Sequence, residues 1–434
     1  MTIKVTATGD SLFVADFPAE YQTVRGPLDA FLSDADVRIT NLETNLSDFG
    51  SFANRYSGGT WLNTRKELFP DIASFGFNFY GTANNHAMDY SYAGMLSTVD
   101  FLDEKGIAHA GTGRSLDEAE RPAIIRLANG KTAAIFAVDA SMELPSTAGR
   151  ASKVFKARPG VNYLRHETLF SVTDAEMDAL KQLAAATSVN AYRDAEIATG
   201  YQAPDPEGCF TFGSTLFTNE KGAPLSRCNK QDLARLCGNI AKAGAEHDLV
   251  FVLVHCHDEE GNDENTPPAY LKEFCRAAID AGAAAVFGGG VHILRGLEIY
   301  RGKPVFYSLG DFIYQGMRVE YLPPDFMEKY GLDVDATAKE ALWVRSKGGK
   351  VGLQTNEKNF LTVVPKLTFE DGALVDLSML PVKLGFGTGS ETLEGLPYRA
   401  TGEEGEKIYQ KYRKLSADLG TELVYENGLI KVKG

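Results

Sequence analysis

The chain has 434 residues, 44% hydrophobic and 24% charged, enough to bury the core of one large α/β domain or of two domains. A net charge of -14 argues against a phosphate-backbone binder, because nucleic-acid affinity relies on clustered Lys and Arg. No apolar run approaches the roughly 18 to 20 residues of a membrane span. Met1-Thr2-Ile3-Lys4-Val5 lacks a signal-peptide pattern, and the five irregularly spaced cysteines read as reduced thiols, so a cytoplasmic location is expected.

In chain order, Lys4 to Thr8 predicts a strand ending at Gly9-Asp10. Val37 to Thr40 predicts a second, ending at Asn41-Leu42-Glu43, and Phe77 to Thr82 a third, ending at Asn84-Asn85-His86. Met95, Leu96, Val99 and Leu102 share a helical face between Tyr92 and Lys105, with Gly106 as the stop. Ala133 to Val138 reads as a buried strand.

The rhythm loosens over about 141–230, which predicts a site-covering insertion; long loops in compact domains are often lids or binding loops. It returns with a helix from Leu233 to Ala245 and a continuous apolar strand from Leu249 to Val254, the pattern of a sheet centre. A helix follows Pro267-Pro268, then a strand from Ala284 to Phe287 and a hairpin of Leu297 to Arg301 with Val305 to Ser308. A helical segment near Ala336 to Val344, a hairpin turned at Asp371-Gly372 and a charged helix from about Glu403 to Leu419 complete the prediction.

The polar clusters at these strand ends carry the chemistry. They include Asp10, Glu43, Asn85, His86, Asp89, His255, His257 and His292, and ligands and reacting groups gather at strand ends in α/β proteins. Oxygen and imidazole donors in one set suit a hard or borderline metal. Asp89, three residues after His86, can fix the imidazole tautomer for acid/base work. His255 and His257, two apart, share a face if the strand continues, whereas Cys256 faces away as a small core residue. Arg158 and Arg295 are candidates for gripping an anion, with Asn162 beside them as a substrate contact.

Taken together, Thr8-Gly9-Asp10, Asn41-Leu42-Glu43, Asn84-Asn85-His86-Ala87-Met88-Asp89, Arg158-Pro159-Gly160-Val161-Asn162 and the run from Gly288 to Phe312 resemble the poly-γ-glutamate synthesis protein CapA family, a branch of the calcineurin-like metallophosphoesterases. The resemblance implies a four-layer α-β-β-α sandwich over 1–315, with 316–434 as a C-terminal hairpin and helix packed on the same domain. It implies one or two divalent ions (Mn, Fe or Zn) on Asp10, Glu43, Asn85, His255 and His292, with Glu43 bridging. His86 is implied as general acid, with Asp89 orienting it; Asp10 and His257 complete the catalytic set.

Three departures stand out. Gly290 replaces the first histidine of a family His-x-His pair, Asp311 replaces an Asn, and Leu12 replaces the histidine of an Asp-x-His opening. The loss at Gly290 predicts a second metal site short of ligands, and Gly290→His is expected to aim a new imidazole into the pocket. The leading function is a hydrolase acting on an anionic small molecule or a peptide or poly-γ-glutamate-type substrate. The rivals are a metal-independent isomerase or peptide epimerase using the same pocket, and a non-catalytic capsule-assembly subunit. A homo-oligomer or a biosynthetic partner protein is compatible with either.

Overall fold

The computed structural model describes residues 2–390 and 392–433. Two large sheets dominate this α/β fold. The ten-stranded one runs in the order Leu423–Glu426, Leu429–Val432, Ala373–Lys383, Leu361–Glu370, Thr2–Leu12, Val37–Leu42, Phe79–Gly81, His109–Ala110, with Asp311–Tyr314 and Tyr398–Arg399 pairing off that path. The six-stranded one runs Leu294–Tyr300, Lys303–Leu309, Ala285–Gly290, Leu249–Cys256, Thr132–Asp139, Ala123–Arg126.

Apolar alternation sorts the side chains into three main clusters. The first joins Val5, Ile39 and Phe79 of the larger sheet to Ile135, Phe251 and Phe287 of the smaller, and takes in Ile408 and Tyr412 of helix Gly402–Ala417. A second packs Leu28 and Leu32 of helix Gly26–Ser33, with Leu102 of helix Ser91–Glu104, against Leu42, Val364 and Val382. In the third, Leu236 and Ile240 of helix Lys230–Glu246 and Phe274 of helix Ala269–Asp280 meet Val252, Val254 and Val286. Leu249–Cys256 thus buries both faces, which is why its sequence is apolar without alternation.

Three strands run further than their apolar patterns predict. Thr2–Leu12 continues past Gly9-Asp10 because Val37–Leu42 and Asp311–Tyr314 pair alongside it, setting Asp10 opposite both Asn41 and Asp311. Leu249–Cys256 carries His255 opposite Asp139 on one side and Gly289 on the other. Ala285–Gly290 takes in all three glycines. Several polar residues expected just beyond strand ends therefore lie inside the last pairs, where backbone pairing fixes them.

The C-terminal hairpin is inserted into the larger sheet, with Leu361–Glu370 antiparallel to Thr2–Leu12. The 141–230 segment holds helices Asp174–Thr187 and Ala191–Ala198 and a small three-stranded sheet. Among the described residues no helix is long and apolar enough to cross a membrane.

Candidate metal centre

Asp10 is held from several sides. Its Oδ1 accepts from Asn41 Nδ2 at 2.6 Å and its Oδ2 from the Gly290 amide at 2.5 Å, and His255 Nδ1 lies 3.5 Å from Oδ1. Burial alone would raise this carboxyl. His255, Asn41 and the Gly290 amide outweigh it and hold the group below its ordinary range. The glycine run is explained here: a Cβ on Gly289 would stand 2.5 Å from both Asp10 oxygens. Only a bare backbone lets the carboxylate come so close.

Gly290 has φ +107°, and a Cβ there would meet the Cys256 carbonyl oxygen at 2.6 Å. The position accepts no side chain on this backbone, so the expectation that Gly290→His would aim an imidazole into the pocket is wrong. Backbone and imidazole cannot both occupy that strand edge.

Glu43 is fully buried, and neither of its carboxylate oxygens has a hydrogen-bond partner. His255 Nε2 lies 3.5 Å and His86 Nε2 3.8 Å from its Oε1. Burial raises its pKa well above the ordinary value, and Asp10, Asp311, Asp139 and Asp89 push it the same way. A buried carboxyl with two open oxygens among four other acids calls for a proton or a cation.

The imidazoles converge on it. Nε2 of His255 is 2.8 Å from Asn85 Oδ1 and 3.1 Å from His257 Nε2. A single N–H on His255 can serve only one of those two acceptors, whereas a cation would satisfy both lone pairs. Burial, then the neighbouring His255 and His292, hold His257 well below its ordinary pKa, which keeps its lone pair free. Burial also lowers His292, but Asp311, 2.8 Å from its Nδ1, and Asp10 together outweigh burial and leave the net shift upward.

The donor atoms form two sets, each within 4.8 Å of one another: Asp10, Glu43 and His255, and Glu43, His257 and His292. Glu43 belongs to both. The second set draws on His257, one residue beyond the Leu249–Cys256 strand, and on no side chain at position 290. Asn85 reaches the pocket through His255, while its Nδ2 donates to the Gly58 carbonyl at 3.0 Å.

His86 is buried with its Nδ1 2.7 Å from Asp89 Oδ2. Asp89 also accepts from the Leu62 and Gly58 amides at 2.8 and 3.1 Å, so it acts as acceptor and the His86 Nδ1 donates. That leaves Nε2 facing Glu43.

The three substrate-contact candidates have other work. Arg158 donates to the Thr147 carbonyl at 2.8 Å and its hydroxyl at 3.1 Å. Asn162 donates to the Ala137 carbonyl and accepts from Arg235. The fully buried Arg295 donates to the carbonyls of Glu264 and Asp258, leaving Nη1 without a partner. These bonds tie loops together, and the anion grip expected of the two arginines gives way to them.

The sequence marks Asn41 within a strand-end cluster but assigns it no role, and it does not single out Asp139. Asn41 Nδ2 lies 2.6 Å from Asp10 and 3.3 Å from His255, and its Oδ1 accepts from Asn84. Asp139 ends its strand fully buried, with Oδ2 unpartnered and burial lifting its pKa to about 6. The apolar run Ala133–Val138 ends one residue earlier, so Asp139 was one more strand-end acid that could have been noticed. Ser141 of the 141–230 segment accepts from the His257 amide at 2.6 Å.

These shifts set the pH dependence of the metal-free protein. Glu43 and Asp139 have folded pKa values above their unfolded ones, so the folded state keeps protons that the unfolded state has lost. Stability is therefore lost as pH rises from the ordinary carboxylate range through about 6 and beyond. With chelator present, these two acids should lower the melting temperature as pH rises through about 6, while His257, held below its ordinary pKa, works the other way. Added Mn²⁺ should raise the melting temperature more above about pH 6, where a cation replaces the missing carboxyl protons. Parallel curves with and without Mn²⁺ would contradict this balance.

The fold and pocket define a class: an α/β protein with two large sheets and a buried cluster of carboxylates and imidazoles whose donor atoms could hold a metal ion. Residues 4–316 match the model of the family described as bacterial capsule synthesis protein PGA_cap, and the chain belongs to that family. An uncharacterized protein, y4sH, of Sinorhizobium fredii is 31% identical over 413 residues, 92% of this chain and 87% of that protein. The PGA biosynthesis protein CapA of Bacillus subtilis is 26% identical over 58% of this chain and 47% of its own length. A probable polyglutamine synthesis accessory protein of Mycobacterium tuberculosis is 26% identical over 65% of this chain and 57% of its own. The chain thus spans about half the length of these last two proteins. Among solved structures, a hypothetical protein from Thermus thermophilus is similar at TM-score 0.38 and 13% identity, over 88% of this chain and 99% of that one.

Proposed function

We propose that this protein is a divalent-metal-dependent hydrolase of the metallophosphoesterase type, acting on an anionic substrate of the glutamyl-peptide or poly-γ-glutamate kind. The observation that carries the reading is Glu43: buried, with both oxygens unpartnered, and common to both donor sets. The three side-chain clusters support the finer fold, with the two sheets as inner layers and helices outside them. The Leu361–Glu370 strand, lying between Thr2–Leu12 and Ala373–Lys383, supports 1–315 and 316–434 as one folded unit.

Asp10, Glu43, His255, His257 and His292 would hold the ions, with Asn85 beside them. Metal there supplies Lewis acidity and lowers the pKa of water toward neutrality. Asn41 and the Gly290 amide orient Asp10. Asp311 sets the His292 ring, and Asp89 holds the His86 tautomer with Nε2 directed at the pocket. In its imidazolium form, with a proton on Nε2 as well as on Nδ1, His86 can give the Nε2 proton to the leaving group and return to the Nδ1–H tautomer that Asp89 holds. The names of the relatives, a PGA biosynthesis protein and a probable polyglutamine synthesis accessory protein, favour a glutamyl polymer or its fragments as substrate and a biosynthetic partner protein.

The test is turnover of a γ-glutamyl peptide and a chromogenic phosphodiester by Mn²⁺-reconstituted and chelator-stripped protein. Hydrolysis of one of them that falls at least about 10²-fold on stripping agrees with the proposal. Equal turnover in both preparations, or none in either, refutes it; metal-independent racemisation of the peptide would favour proton transfer.

A further inference from the structure

A cavity of ≈ 280 Å³ shares the Tyr314 side chain with the surroundings of the metal centre. The Tyr314 ring stands 6.2 Å from that of His292 and 5.6 Å from that of Phe360, which also lines the cavity. Most of the lining comes from after residue 316, where the family match ends: Arg318, Lys339 and Trp343, then Gln354 and Phe360. Lys339 and Trp343 lie one turn apart on helix Ala338–Arg345, which a Thr337–Glu340 capping box starts.

The lining holds unmet hydrogen-bonding capacity of both signs. Gln315 is 1% exposed; its Oε1 accepts from the Val14 and Ala15 amides at 3.0 Å each, and its Nε2 has no partner. Gln354 donates to the Val351 carbonyl at 2.9 Å, and its Oε1 has no partner. Buried amide groups in folded proteins are almost always satisfied, so a partner from outside the chain is expected for both. Among the described residues no ion pair engages Lys339, whereas Arg318 donates to the Asp16 carbonyl at 3.2 Å and to its carboxylate at 3.3 Å. Trp343, 63% exposed, supplies an aromatic wall. Glu394 also lines the space, which disfavours a polyanion.

A donor amide and a lysine suit a carboxylate. An acceptor amide suits an N–H, and the aromatic walls suit a short aliphatic stem. We propose that this cavity is a recognition subsite for a carboxylate- and N–H-bearing arm of the substrate, of the size of an N-acyl amino acid. The proposal rests on the hydrolase reading only in calling that occupant substrate; binding stands without turnover.

Isothermal titration of the intact protein with N-acetyl-L-glutamate, and with its uncharged diamide, separates the two. Wild type should bind the acid and not the diamide. Lys339→Ala and Trp343→Ala, both at exposed helix positions, should each weaken binding by about tenfold or more. Asp10→Asn, which cripples the metal centre, should keep affinity within about twofold, since its site lies outside the cavity. Absence of binding by wild type, indifference to both cavity substitutions, or loss in Asp10→Asn would overturn the subsite. Binding that follows the expected pattern in a protein without hydrolytic activity would leave the subsite standing and remove only the hydrolase.

Discussion

Glu43→Gln should lower divalent-metal affinity by at least about 10²-fold and take hydrolysis down with it. Outer-shell changes already cost about 10- to 100-fold in affinity, and Glu43 is shared by both donor sets. The side chains differ little in volume, so packing survives. The substitution also removes a buried acid that burial and four neighbouring carboxylates oppose ionising, so the metal-free variant should be no less stable than metal-free wild type. A ligand that binds only the folded state stabilises by about 2.7 kcal/mol at a hundred times its Kd. Added Mn²⁺ should therefore raise the melting temperature of wild type and leave that of Glu43→Gln unchanged. An equal rise in both would take Glu43 out of the site.

His86→Ala should cut turnover by about 10² to 10⁴-fold, the usual range for a general acid or base, with bound metal retained. Its ring belongs to neither donor set, and its Nε2 is 3.8 Å from Glu43. Asp89→Asn should cost less activity but more stability. Asp89 accepts from two backbone amides as well as from His86, and an amide side chain must turn its NH₂ toward one of those donors. Kinetics on the two variants, with metal content measured in parallel, separate the roles. Full turnover in His86→Ala would remove it from the chemistry.

Much of this pocket is legible in the sequence because local signals mark it. Asp10, Glu43, His86, Asp89, His255 and His292 each follow a short strand pattern, and parallel pairing brings such positions to one edge. Other features are not local. Asn41 matters because register sets it opposite Asp10, and no single-strand pattern states a register. His257 enters a donor set because the chain beyond Cys256 keeps it beside His292, which a strand reading left open. Arg158, Asn162 and Arg295 look like substrate contacts by residue type, yet their donors meet carbonyls 11 to 37 residues away, and that is a tertiary fact. Gly290 looked like a lost ligand; only the backbone shows that it sits at φ +107° against Cys256 and donates to Asp10.

The central claim is that the pocket around Glu43 holds divalent metal. Elemental analysis of protein purified without chelator tests it most directly. The account predicts one to two equivalents of Mn, Fe or Zn in wild type and a large loss in Glu43→Gln. Metal-free wild type that also takes up none on incubation with Mn²⁺, Fe²⁺ or Zn²⁺ would contradict it.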